Sequence, residues 1–128
     1  MAQAGGNNGF MHVDHLSLVA GPDGLSAAVD RLRPIFGDRI KDGGAHPRFG
    51  TRNHIVPLVD GRYLEIVEVL DHPAADKAVY GQAVRARQEL GGGWLGWVVS
   101  VDNLHPFEER LEREAVPGSH TFPDGRTL

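Results

Sequence analysis

Glu65 is the residue of this chain that most needs a chemical explanation. It lies in Tyr63-Leu64-Glu65-Ile66-Val67-Glu68-Val69, where strand alternation places it on one face with Tyr63, Val67 and Val69. A carboxylate on an apolar strand face costs several kcal/mol unless it is paired, protonated or metal-bound. Glu65 is therefore a candidate for proton transfer or metal ligation, and the competing reading is a solvated face or a pair with Arg62. His15 is the second candidate and shares an earlier strand face with Val13, Ser17 and Val19; a satisfied core histidine is its alternative. The loop His46-Pro47-Arg48-Phe49-Gly50-Thr51-Arg52-Asn53 is the third. Gly50 there allows close backbone approach, and Arg48, Thr51, Arg52 and Asn53 supply donors beside Phe49. Such a set would hold a small carboxylate or carbonyl compound against an aromatic ring, or else form a structural turn in which Thr51 and Asn53 satisfy their own backbone. His12 and Asp14 are spaced for an ordinary pair, while His72, His105 and His120 sit beside turn residues and are expected in solvent. No nucleophile elbow, phosphate loop or zinc-protease motif appears.

The elements that position these residues come from an internal repeat. The stretch His15-Leu16-Ser17-Leu18-Val19-Ala20-Gly21-Pro22-Asp23-Gly24-Leu25 aligns without a gap onto Trp94-Leu95-Gly96-Trp97-Val98-Val99-Ser100-Val101-Asp102-Asn103-Leu104, and Arg31-Leu32 then matches Arg110-Leu111. Each copy reads as an apolar strand followed by a helix, one unit used twice. In the first copy, residues 12–20 alternate as a strand, Asp23 is placed to cap a helix carrying Leu25, Val29 and Leu32, and Pro34 with Gly37 ends it. Residues 39–42 read as a short strand, 43–51 as a glycine-rich loop and 53–59 as a strand. Asp60-Gly61 marks a tight turn before the clear strand 62–70. Residues 76–90 read as a connecting helix with Val79, Ala83, Ala86 and Leu90 on one face, and three glycines follow. The second copy holds a strand at 94–101, with one tryptophan on each face, and a helix begun by Pro106.

Composition bounds the reading. The 128 residues are 41% hydrophobic and 23% charged, which describes one ordinary globular domain. A net charge of -4 without a basic cluster argues against a nucleic-acid partner. Zero cysteines exclude disulfides and thiolate metal sites and fit a cytoplasmic location. No apolar run approaches a membrane span, so no membrane partner is expected, and residues 1–10 read as a flexible tail.

Val13-Asp14-His15-Leu16, the loop His46 to Asn53, Tyr63-Leu64-Glu65, Gly96-Trp97-Val98 and the late Pro123-Asp124-Gly125-Arg126 together resemble the glyoxalase-like domain family. That family falls within the vicinal oxygen chelate superfamily of glyoxalase I, extradiol dioxygenases and bleomycin-resistance proteins. The resemblance covers most of residues 11–128 and implies an α+β fold. It would comprise a complete βαβββ module (11–70), a connecting helix and hinge (71–93) and an incomplete second βα(βββ) module (94–128), apparently shortened at the C-terminus. It also implies that His15 and Glu65 bind a divalent metal (Zn, Ni, Mn or Fe), with Glu65 doubling as catalytic base. His54, on a neighbouring strand and sharing its face with Val56 and Leu58, is the candidate third ligand, and nothing in the sequence makes that the cavity face. His46, Arg48, Phe49, Thr51, Asn53 and Trp97 would line the ligand site. The second copy carries Trp94 where the first has His15, so a four-ligand site built from both copies is absent. The implied function is a metal-dependent lyase, isomerase or dioxygenase-type enzyme acting on a small oxygenated metabolite. The alternative is a non-catalytic binding or resistance protein using the same cleft. The open sheet edge left by the partial second module is expected either to pair in a homodimer that completes the cleft or to mark a shortened form of a longer family member.

Overall fold

The computed structural model describes residues 11–119. Its elements are β1 (Met11–Val19), α1 (Gly24–Phe36), β2 (Lys41–His46), β3 (Thr51–Pro57), β4 (Tyr63–Val69), α2 (Pro73–Lys77), α3 (Val79–Glu89), β5 (Gly93–Val101) and α4 (His105–Leu111). The strands form one sheet in the order β2-β3-β4-β1-β5. β1 runs parallel to β4, with α1 in the crossover, and every other pairing is antiparallel. This is the α+β arrangement expected: a βαβββ unit, connecting helices, and the strand and helix of a second unit. The tail at 1–10, His120 and Pro123-Asp124-Gly125-Arg126 lie outside the described residues. Among the described residues, no helix is long and apolar enough to cross a membrane.

Alternation in the central strands sorts their side chains between two layers. On one face, Ala20, Val56, Leu64 and Ile66 pack against Leu25, Ala28 and Val29 of α1, with Leu16 and Leu18 at the margin. This is the larger core, and it fixes β1, β3 and β4 against one helix. On the other face Val19 and Val67 pack with Val84 of α3, beside Tyr80 and Leu95. The second layer covers only part of its face, and the uncovered part is where the polar side chains gather.

Several local expectations shift. The N-cap position of α1 is Asp23, yet its side chain makes no cap bond; it accepts instead from Arg31 at 2.7 Å. The freed helix N–H of Leu25 donates to Glu68 Oε1 at 3.0 Å, so an anion from β4 faces the positive end of the helix. Pro34 sits inside the last turn of α1, where few backbone bonds remain to be lost, and Gly37 at φ 55 ends the helix. Much of the expected glycine-rich loop is β2: a bulge between Asp42 and Gly44 keeps it paired with β3. Residues 76–90 do not form one helix. Ala78, extended at φ -84 and ψ 133, separates α2 from α3 and resets the helical phase. Tyr80 and Val84 then face the sheet, whereas Val79 and Leu90 stand 83% and 78% exposed.

Two glycines let the connecting helices approach the β2–β3 turn closely. A Cβ on Gly81 would lie 2.3 Å from the Phe49 carbonyl oxygen and 2.8 Å from Ala75 Cα. A Cβ on Gly50, whose φ is 66, would lie 2.5 Å from the Ala75 nitrogen. Replacing Gly81 by Ala must therefore push α3 off the turn and is expected to cost about 1–3 kcal/mol, as other overpacking substitutions do. Gly118→Ala, with nothing within 4 Å of the added carbon, is the control and should leave urea stability unchanged. Equal denaturation midpoints for the two variants would reject this packing argument.

Candidate functional site

A cavity of about 400 Å³ opens on the sheet face opposite α1. Glu65, in the middle of β4 and 5% exposed, forms its base. Three elements converge on this carboxylate. Ser17 Oγ of β1 donates to Oε1 at 2.8 Å, Asn53 Nδ2 of β3 donates to Oε2 at 2.6 Å, and the Tyr80 hydroxyl of α3 donates to Oε1 at 2.5 Å. Three hydrogen bonds replace much of the hydration that burial removes, which is how an acceptor this deep is tolerated. No Lys or Arg pairs with it among the described residues, and Arg62 lies beside Asp60 instead. Neutral protein donors thus surround Glu65 where the sequence offered a solvated face or a pair with Arg62.

His15 and Asp14 both line the cavity although they are consecutive. The reason is a bulge in β1: opposite β5, Val13 pairs with Val99 and His15 with Val98, leaving Asp14 as the extra residue. His15 Nδ1 donates to Asp14 Oδ2 at 2.8 Å. A carboxylate only accepts, so this contact places the ring proton on Nδ1 and leaves Nε2 as the acceptor. The parallel register sets His15 beside Tyr63, and the two rings stack at 4.5 Å with an interplanar angle of 11°. His12, the expected partner of Asp14, lies exposed at the strand start, because the bulge breaks the alternation between them.

The turn after β2 forms the remaining wall. His46 is buried, with Nδ1 3.2 Å from Thr51 Oγ1, and its carbonyl accepts from the Phe49 and Gly50 N–H groups. Phe49 meets Tyr80 edge-on, with centroids 5.5 Å apart and ring planes at 69°. Gly43 leaves room for Asn53: a Cβ there would sit 1.9 Å from Asn53 Oδ1. Burial first, and then the negative charge of Glu65, pushes both the Tyr80 and the Tyr63 phenol well above the ordinary tyrosine range.

The residues singled out from the sequence divide accordingly. His15, Glu65, His46, Phe49 and Asn53 share the cavity, and Thr51 supports it from behind. Arg48 is exposed outside the lining. His54 pairs with Ile66 in register and so belongs to the α1 face, in a groove with Arg52 and Glu68. It is therefore not brought to His15 and Glu65. Trp97 is also turned away. A second irregularity, between Ser17 and Leu18, makes Leu95 the extra residue of β5, so Trp97 opposes Leu16 and Trp94 opposes Leu18. Both tryptophans thus lie on the α1 side, 68% and 59% exposed, and Val98 reaches the cavity in place of Trp97. Sequence reasoning missed Tyr80, whose helical phase depends on the break at Ala78. It also missed the Asp14–His15 contact, which depends on the bulge. Ser17 and Tyr63 had been placed on the correct faces without being given a role.

A resident divalent metal does not fit this donor set. The two ligands implied by resemblance lie at the cavity, the third candidate, His54, is on the other side of the sheet, and both Glu65 oxygens already accept hydrogen bonds. Among the described residues, no three His, Cys, Asp or Glu side chains are grouped to hold a metal ion.

The fold and its cavity define a module of the vicinal oxygen chelate type. A family model described as a glyoxalase-like domain matches residues 13–128, and the chain belongs to that family. A comparison with curated proteins finds no match. Among solved structures, a hypothetical protein from Staphylococcus aureus is similar at a TM-score of 0.55 and 16% identity, over 80% of this chain and 41% of that one. Methylmalonyl-CoA epimerase from Mycobacterium tuberculosis is similar at a TM-score of 0.52 and 15% identity, over 85% of this chain and 70% of that one. The chain therefore spans less than half of the staphylococcal protein, and at these identities the likeness is one of fold.

Both tyrosines of the chain lie in this site, which makes it directly observable. Ultraviolet titration of the folded protein should show little phenolate at pH values where the urea-unfolded chain ionises, near pH 10. Because the folded state holds these protons more tightly, their contribution to stability is complete below about pH 10 and is lost as pH rises through the raised folded values. A folded-state titration that overlays the unfolded one would contradict the burial of these hydroxyls.

Proposed function

We propose that this glyoxalase-like protein binds a small oxygenated metabolite in the cavity beside Glu65 and moves a proton on it, as an isomerase or lyase does. The observation that carries this reading is the Asp14–His15 contact. An imidazole whose Nδ1 proton is held by a carboxylate presents Nε2 as a base. In the proposed step, His15 Nε2 removes a proton from the carbon next to a substrate carbonyl. The electron pair of the broken C–H bond passes to the carbonyl oxygen, and a tyrosine hydroxyl that stays protonated donates a hydrogen bond to the resulting enolate. Return of the proton to either carbon face, or to the neighbouring atom, completes an isomerisation. The three donors on Glu65 favour it as the fixed anion of the site and His15 as the proton carrier, in place of the catalytic role given to Glu65 from sequence.

Proton transfer is measured by deuterium uptake. A panel of small α-hydroxy and α-amino ketones and 2-oxo compounds, incubated with the protein in heavy water, should show loss of the α C–H signal by NMR for at least one member. His15→Gln should slow that exchange by about 100-fold or more. Saturable binding without exchange anywhere in the panel would overturn the enzymatic reading and assign the cavity to sequestration, the second function this fold class carries.

The dimer belongs to the same proposal. β5 is an edge of the sheet and carries Trp94 and Trp97 in solvent, a combination suited to a second chain. Light scattering should report twice the 13.9 kDa chain mass, and Trp97→Lys should lower it to one. A monomeric parent protein would reject the dimer.

A further inference from the structure

The cavity wall carries two carboxylates, Asp14 and Glu65, beside the imidazoles of His15 and His46, and no Lys or Arg of the described residues lines the space. The nearest cations by sequence are engaged elsewhere: Arg52 faces Glu68 on the α1 side, and Arg62 lies beside Asp60. Glu65 is thus a buried carboxylate that accepts from the neutral donors Ser17, Asn53 and Tyr80. In a water-poor interior the field of such a charge is screened far less than in solution. It opposes entry of an anion and favours a cation.

The remaining wall gives that cation a shape. Phe49 and Tyr80 meet edge to face at 69°, and Tyr63, stacked on His15, adds a third ring to the same lining. Aromatic faces attract positive charge and pack well against alkyl groups. The acceptor capacity of Glu65 is mostly used, since three of about four lone-pair directions on a carboxylate are filled. A primary ammonium, which needs several acceptors, is poorly served there. An alkylated one needs only the field and the ring faces.

We infer that the cavity takes an alkylated organic ammonium, its positive charge facing Glu65 and its alkyl groups lying against the rings of Phe49, Tyr63 and Tyr80. This rests on the cavity being the ligand site, as proposed above, and not on the proton transfer. It also reverses the expectation that loop arginines receive a substrate carboxylate, because Arg48 and Arg52 both lie outside the cavity.

The test compares three probes of one shape and different charge: choline, the neutral 3,3-dimethylbutan-1-ol and the anionic 3,3-dimethylbutanoate. Each is titrated into the isotope-labelled full chain and followed by amide NMR at Ser17, Asn53 and Tyr63. Choline should bind at least about 10-fold more tightly than the alcohol, and the anion should give no saturable shift. Glu65→Gln should bring choline to within about 2-fold of the alcohol, both measured on the same variant. If that variant loses its folded spectrum, Asp14→Asn takes its place and should weaken choline selectively. Equal or tighter binding of the alcohol or the anion, no saturation by choline, or a preference that survives the charge-removing substitution would each overturn the inference. Lost deuterium exchange with choline selectivity intact rejects only the enzymatic reading; the opposite result rejects only the cation.

Discussion

The carboxylate of Glu65 draws side chains from three elements onto one buried group. Ser17 arrives on β1, Asn53 on β3 and Tyr80 on α3, and each donates to the same buried group. Remove the carboxylate and three polar side chains lose their common acceptor in a place water scarcely reaches; remove a donor and a buried anion loses part of its solvation. The α1 face needs no such device, because Leu25, Val29, Val56, Leu64 and Ile66 hold it by apolar burial. The sheet thus has one face organised by hydrophobic packing and one organised around a charge. Gly43, Gly50 and Gly81 belong to the second arrangement: each clears the space of a Cβ so that Asn53, α2 or α3 can approach.

Most of the fold was legible because it follows from alternation and from the repeat. The strands around residues 12–20, 62–70 and 94–101, and the helix between the first two, were recoverable from period and punctuation alone. The face of Glu65 was readable too, since β4 is regular from Tyr63 to Val69. What failed depended on departures from regularity. Two irregularities in the β1–β5 pairing changed which residues face the cavity, putting Asp14 in and Trp97 out. A single extended residue, Ala78, turned one expected helix into two and rotated Tyr80 inward. Each is a one-residue event, invisible to arguments that average over a window.

The implied metal set failed for a different reason. His54 was chosen because its strand neighbours that of Glu65, but adjacency in a sheet says nothing about face. Residue 54 opposes Ile66, one step out of phase with Glu65. A shift of one residue exchanges the two sides of a strand completely, so a ligand proposed from a neighbouring strand holds only as far as the parity of that strand is known.

The bulge at Asp14 has a consequence for how the two halves of the site tolerate distortion. A regular strand offers one side chain to a given face about every 6.6 Å, so neighbouring functional groups normally come from different strands. At Asp14 the strand offers two in succession, and their mutual orientation is settled within one peptide unit. The Asp14–His15 dyad therefore travels with β1 as a single piece, whereas the cluster on Glu65 exists only while three separate elements keep their spacing. Small relative movements of the strands and α3 fall on the anion's hydrogen bonds and spare the imidazole's. One half of the cavity is a local property of the chain, and the other is a property of the assembled fold.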